Sequence, residues 1–123
     1  LRHADKTAHG RFITPMMRLE DPDQTKSLIV TLPETTLVQE AARPRGDLAR
    51  AGITPYAWVV NASLAATDTS HPVLVARAET EAAELARVRE GLAQRYAVVR
   101  MQADDPVGAD WRRALLGRAA ELV

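Results

Sequence analysis

Residues 27–64 read SLIVTLPETTLVQEAARPRGDLARAGITPYAWVVNASL, and this stretch decides the fold because it reads as strand, helix, strand. The apolar run Ser27–Leu32 stops at Pro33-Glu34-Thr35-Thr36, and the run Tyr56–Val60 stops at Asn61-Ala62-Ser63. About twenty residues of helical pattern lie between them, enough for the crossover that parallel strands require. In open parallel sheets ligands gather beyond the carboxyl ends of the strands. Glu34 and Asn61 stand at those ends.

Within the crossover, Leu37, Val38, Ala41, Ala42, Leu48 and Ala51 carry the apolar pattern, and Gly52 is placed to stop the helix. Pro44 and Gly46 interrupt it. A proline inside a helix removes a backbone bond and clashes with the preceding turn, at roughly 3 kcal/mol. The crossover is therefore expected as two shorter helices, broken around Arg43–Asp47.

Downstream, a polar loop over 62–71 leads to Pro72, a helix-start residue. Leu74, Ala78, Leu85, Val88 and Leu92 then recur at three-, four- and seven-residue spacings, an apolar stripe with Glu79, Glu84, Arg87 and Glu90 largely off it. The stripe reads as core-facing packing. Tyr96–Val99 reads as a third strand, residues 101–108 as a loop, and Ala109–Leu122 as a closing helix with Trp111, Leu115, Ala119 and Leu122 on one side. The order β-α-β-α-β-α makes this an α/β chain with a parallel sheet covered by helices. Upstream, residues 1–24 show no sustained period. They are read as the tail of an upstream helical segment, its His3 and His9 exposed, and residues 25–123 as the α/β part.

Composition narrows the function. The chain has 123 residues, sixteen basic against sixteen acidic, and no cysteine. It makes one domain or a piece of one. No basic excess favours nucleic acid as a partner. No apolar run approaches the roughly 18 residues of a membrane-spanning helix, and the absence of cysteine excludes disulfides, thiolate metal sites and a Cys nucleophile. The chain begins at Leu1 without a signal-peptide pattern, and it is read as a soluble fragment.

The segments FITPMMRLEDPDQTKSLIVTLPETT (12–36), DLARAGITPYAWVVNASL (47–64), VLVARA (73–78) and DDPVG (104–108) together resemble the C-terminal part of the arsenical pump-driving ATPases, the ArsA family. That family is a relative of the ATPase that delivers tail-anchored membrane proteins. The resemblance implies a three-layer parallel-sheet fold of the P-loop NTPase type, of which this chain is the C-terminal portion. It also implies a cytoplasmic protein that uses ATP with Mg²⁺ and is peripheral at the inner membrane face through a membrane arsenite channel. A missing N-terminal ATPase half or a second copy would be a further partner.

Residue by residue, the resemblance assigns Asn61 to reading the adenine base. A carboxamide offers a donor and an acceptor together and can pair bidentately with adenine. The family pattern has a second asparagine next, where this chain has Ala62. The alternative is that Asn61 simply turns the strand end. Glu34 matches a nucleotide-contacting glutamate, suited to a ribose hydroxyl or a base amino group. Its residues alone also allow a first-turn carboxylate favoured by the helix dipole. Arg100, Met101 and Gln102 stand where relatives wrap a proline-containing loop against the adenine, with Arg100 in place of that proline. Arg100 there stacks on the base, touches phosphate or is a solvated loop arginine.

Phosphoryl transfer needs a phosphate cradle, a lysine, a Mg²⁺ ligand and a water-positioning carboxylate. The family's glycine-rich GKGGVGKT and DTAPTGH segments do not occur in this chain. No catalytic or metal-ligating residue is therefore assigned, and the chain alone is expected to be inactive in hydrolysis. Asp104-Asp105 reads as a solvated loop. A dinucleotide-binding unit would need G-x-G-x-x-G after its first strand, which LPETT lacks. The competing function is a non-catalytic structural or interaction module that docks onto a missing ATPase half.

Overall fold

The computed structural model describes residues 12–105, 107–118 and 121–122, and from residue 114 onward the backbone alone. His3, His9 and Ala119, and the side chains of Leu115 and Leu122, fall outside that description. Helix α1, Pro15–Glu20, is capped by the Thr14 hydroxyl, which accepts from the Met17 N–H at 3.2 Å. It leads to strand β1, Leu28–Thr31. The crossover follows as helices α2, Thr35–Ala42, and α3, Pro44–Arg50. Strand β2 spans Ala57–Ser63, helix α4 Pro72–Arg87 and strand β3 Tyr96–Arg100. Helix α5, Ala109–Arg118, and a two-residue strand β4, Glu121–Leu122, complete the described chain.

The sheet order is β1-β2-β3-β4, with β1, β2 and β3 parallel and β4 antiparallel to β3. The three expected strands are present and parallel. The expected closing helix is shorter than the Ala109–Leu122 span. Gly117 weakens its last turn, and the free edge of β3 offers backbone partners to the residues that follow.

Pro44 divides the crossover as its chemistry requires. Arg43 keeps helical dihedrals (φ −61°, ψ −47°) and its N–H donates to the Glu40 carbonyl at 3.2 Å, so the helix kinks there and restarts with proline in its first turn. Gly52 ends α3 at φ +75°. The Gly52 N–H bonds the Ala49 carbonyl and the Ile53 N–H the Leu48 carbonyl, at 3.1 and 2.8 Å, which satisfies two terminal carbonyls and seats buried Ile53 beneath the turn.

The core is built on one face of the sheet. Trp58 and Val60 from β2 meet Val38 from α2 and Val88 at the end of α4, with Ile29, Ala41, Leu85, Leu92 and Tyr96 packed around them. Alternation sends the neighbouring residues to the other face, where Leu28 and Val30 remain 53% and 62% exposed. The stripe of α4 is core-facing at Leu85, Val88 and Leu92 and exposed at Leu74. Past Arg87 the helix widens to a π-turn over Val88–Leu92, closed by the Ala93 N–H on the Val88 carbonyl at 3.0 Å. Among the described residues no helix is long and apolar enough to cross a membrane.

Candidate functional site

The site forms where β2 and β3 reach their carboxyl ends. Val60 pairs with Val98 and Ser63 with Arg100, so Asn61 and Ala62 together stand opposite Val99 alone. Two residues against one is a β-bulge, which bends a strand and re-aims its side chains. β2 therefore continues to Ser63, past the Val60 end expected from the apolar run. Asn61 lies within the bulged strand, where the sequence alone suggests a following loop. Its alternation signal is lost because the bulge breaks the period of two.

Ala62 carries the strain of this bulge at φ +55°. For an L-residue with a Cβ the left-handed region costs about 1–2 kcal/mol, while asparagine and glycine enter it readily. The second asparagine that the resemblance implies here would suit this conformation, and Ala62 tolerates it. Ala62→Gly is expected to stabilise the chain by about 0.5–1 kcal/mol, the steric relief exceeding the extra backbone entropy of glycine. Urea denaturation followed by circular dichroism measures the difference, and a lowered midpoint would contradict the assignment of strain to this residue.

Asn61 and Ala62 line a cleft of about 280 Å³ with Val99, Arg100, Met101, Gln102, Asp104 and Asp105. Four of the five residues singled out from sequence thus converge. The loop is fastened to the bulge by the Met101 N–H, which donates to the Ser63 carbonyl at 3.0 Å, and the Gln102 side-chain amide folds back on the Arg100 carbonyl at 3.0 Å. Arg100 is exposed and makes no salt bridge among the described residues. Asn61 also borders a second cleft of about 360 Å³ with an apolar wall of Val30, Leu32, Leu37 and Ala41.

Glu34 is not among the residues lining either cleft. It occupies the N-cap position of α2, its carbonyl accepting from the Val38 N–H at 2.8 Å. Its side chain makes no cap bond, and Oε1 instead faces Arg77 Nη2 at 3.7 Å.

Sequence reasoning missed Glu81. It lies three residues after Ala78 and four before Leu85, on the apolar stripe itself, and a carboxylate in that row was the available signal. Its side chain is 4% exposed. Oε2 accepts from the Leu64 N–H at 2.7 Å, the Ala65 N–H at 3.1 Å and the Ser63 hydroxyl at 3.2 Å. Oε1 lies 3.8 Å from Arg77 Nε, and Arg77 thereby links Glu81 to Glu34.

Chemically, the cleft combines a carboxamide, backbone groups of a loop and a guanidinium. Asp104 and Asp105 on its wall disfavour phosphate, since like charges repel. Ligand pockets typically run about 300–1,000 Å³, so a volume near 280 Å³ suits a flat heterocycle better than a whole nucleoside triphosphate. Among the described residues, no three His, Asp or Glu side chains converge as a metal site would need.

A family model described as anion-transporting ATPase matches residues 6–111. The chain is 49% identical over 107 residues to an arsenical pump-driving ATPase of Acidiphilium multivorum, covering 87% of this chain and 18% of that protein. It is 48% identical over 108 residues to an arsenical pump-driving ATPase of Escherichia coli, covering 88% and 18%. A second Escherichia coli protein of that name is 46% identical over 107 residues. The chain thus spans 18% of the length of these relatives.

Proposed function

Because the chain belongs to the anion-transporting ATPase family, we propose that it forms the adenine-reading side of that ATPase's nucleotide site. The reading rests on one observation: Asn61 and the Arg100–Gln102 loop share a base-sized cleft at the carboxyl ends of parallel strands. Asn61 pairs with the base edge, the loop backbone and the Met101 side chain flank the ring, and Glu34 serves a ribose hydroxyl once the nucleotide draws it from Arg77. ATP bound here would keep its phosphates and Mg²⁺ on other segments of the protein, because this chain has neither a glycine-rich cradle nor, among the described residues, a converging carboxylate set. The complete protein couples ATP hydrolysis to export of arsenite or antimonite through a membrane channel, acting from the cytoplasm. The name of its relatives, arsenical pump-driving ATPase, supports the arsenical and ATPase parts of that reading.

Binding by this chain should depend on adenine and ribose far more than on phosphate count, with AMP and ATP binding about equally. Asn61→Ala should cost roughly 1–3 kcal/mol of adenine-over-guanine discrimination, the worth of one bidentate contact. Calorimetry or ligand-detected NMR with AMP, ATP, GMP and GTP measures both quantities. A strong preference for ATP over AMP would reveal phosphate contacts in this chain, and indifference to Asn61→Ala would return that residue to a strand-end role. A second reading, a non-catalytic module docking onto the rest of an ATPase, draws on the exposed Leu28 and Val30 face. Absence of any nucleotide binding would decide for it.

A further inference from the structure

Glu81 is a buried carboxylate in an apolar helix stripe, and all three donors to its Oε2 come from the last residue of β2 and the two that follow it. Such a group is costly to bury, and it persists when its hydrogen bonds fix something. What they fix is the exit of the bulge. Ser63 is fully buried and pairs with Arg100, and its carbonyl takes the Met101 N–H, so the carboxylate grips the residue where bulge and loop join. Two residues before it stands Asn61, and between them is Ala62, in a backbone conformation it does not favour alone.

We propose that Glu81 is the positioning residue of the base-reading edge. It acts through Ser63, Leu64 and Ala65 to keep the Asn61–Ala62 bulge in register with the Arg100–Gln102 loop. The role rests on the reading of Asn61 as the base-contacting residue. Arg77, 3.8 Å from Oε1 and 3.7 Å from Glu34, ties the same carboxylate to the ribose side. Glu81 touches no part of the cleft itself, so its influence is on geometry.

The test compares Glu81→Gln with Glu84→Gln in the 123-residue chain. Glu84 is a neighbouring, largely buried glutamate of α4 whose Oε1 takes the Thr35 hydroxyl at 2.7 Å, away from the bulge. Glutamine keeps the size of Glu81 and removes its charge, which weakens bonds that depend on an ionised acceptor. In amide NMR spectra the Leu64 and Ala65 protons should move upfield and exchange faster in Glu81→Gln, with little change in Glu84→Gln. Titration with AMP and GMP should show adenine preference falling about tenfold in Glu81→Gln, toward the value for Asn61→Ala, and unchanged in Glu84→Gln. If the wild type prefers adenine and Glu81→Gln keeps that preference while its amide signals move, the positioning role is overturned and the reading of Asn61 survives. Equal loss in both variants overturns it as well, since general loosening of α4 then explains the effect. A wild type with no base preference overturns the Asn61 reading and the positioning role with it.

Discussion

Trp58→Ala is expected to cost the chain about 3–5 kcal/mol, the usual range for truncating a buried aromatic. Trp58 is 2% exposed at the centre of the core, on the strand that pairs on both sides, with Val38 and Val88 closing over it from two helices. The buried residues clustered with it, Val38, Val60 and Val88, are β-branched with few rotamers and fill the space poorly. Small domains are stable by only about 5–15 kcal/mol, so the loss is a large share of the whole. Urea denaturation followed by far-ultraviolet circular dichroism measures it without relying on the deleted fluorophore. A loss below about 1 kcal/mol would mean that the helices do not pack on Trp58 as described.

Glu81→Ala comes next in size, at about 3–5 kcal/mol, by a different route. Truncation strands the Leu64 and Ala65 N–H groups and the Ser63 hydroxyl, and a hydrogen bond to a charged group is worth roughly 1.5–3 kcal/mol. Leu64 and Ser63 are buried, so water replaces the carboxylate poorly. Arg77, at 55% side-chain exposure, stays solvated and adds little. Glu34→Ala supplies the contrast: it breaks an exposed pair at 3.7 Å, and such pairs contribute about 0–1 kcal/mol. Thermal and urea melts of the two variants side by side should therefore separate them clearly. Equal, small losses would show that the three bonds to Glu81 are replaceable by solvent.

Much of this architecture is legible in the residues because short-range rules govern it. Pro44 cannot continue a helix and Gly52 can adopt positive φ, so the split crossover and its stop follow from covalent chemistry. The runs around Ile29, Val59 and Val98 are strands because β-branched residues fit a pleated, buried surface. The bulge was not legible: it arises from a mismatch of two residues against one between strands distant in sequence, and nothing in VVNAS announces which partner it will face. Ala62 hid it further, because an asparagine or glycine there would have signalled positive φ. Glu81 was masked by its neighbours Glu79 and Glu84, which made one more glutamate look like part of a solvated face. The pairing of Glu34 with Arg77 joins two elements brought together only by packing, and β4 depends on an edge that exists only once β3 is in the sheet.

The order of the strands in space is their order in the chain, β1-β2-β3-β4. Among the described strands none has to be inserted between two that are already paired, so this part of the sheet can grow by addition at one side as the polypeptide leaves the ribosome. Each new strand finds its template in the one made just before it, and each crossover lands on a surface already assembled. Synthesis at roughly 5–20 residues per second leaves ample time for the crossovers to form, since helix formation takes about a microsecond or less. Of the described strands, β1 and β4 each keep one open side, the first to be made and the last. The cleft at Asn61 is completed only when β3 and the loop after it arrive.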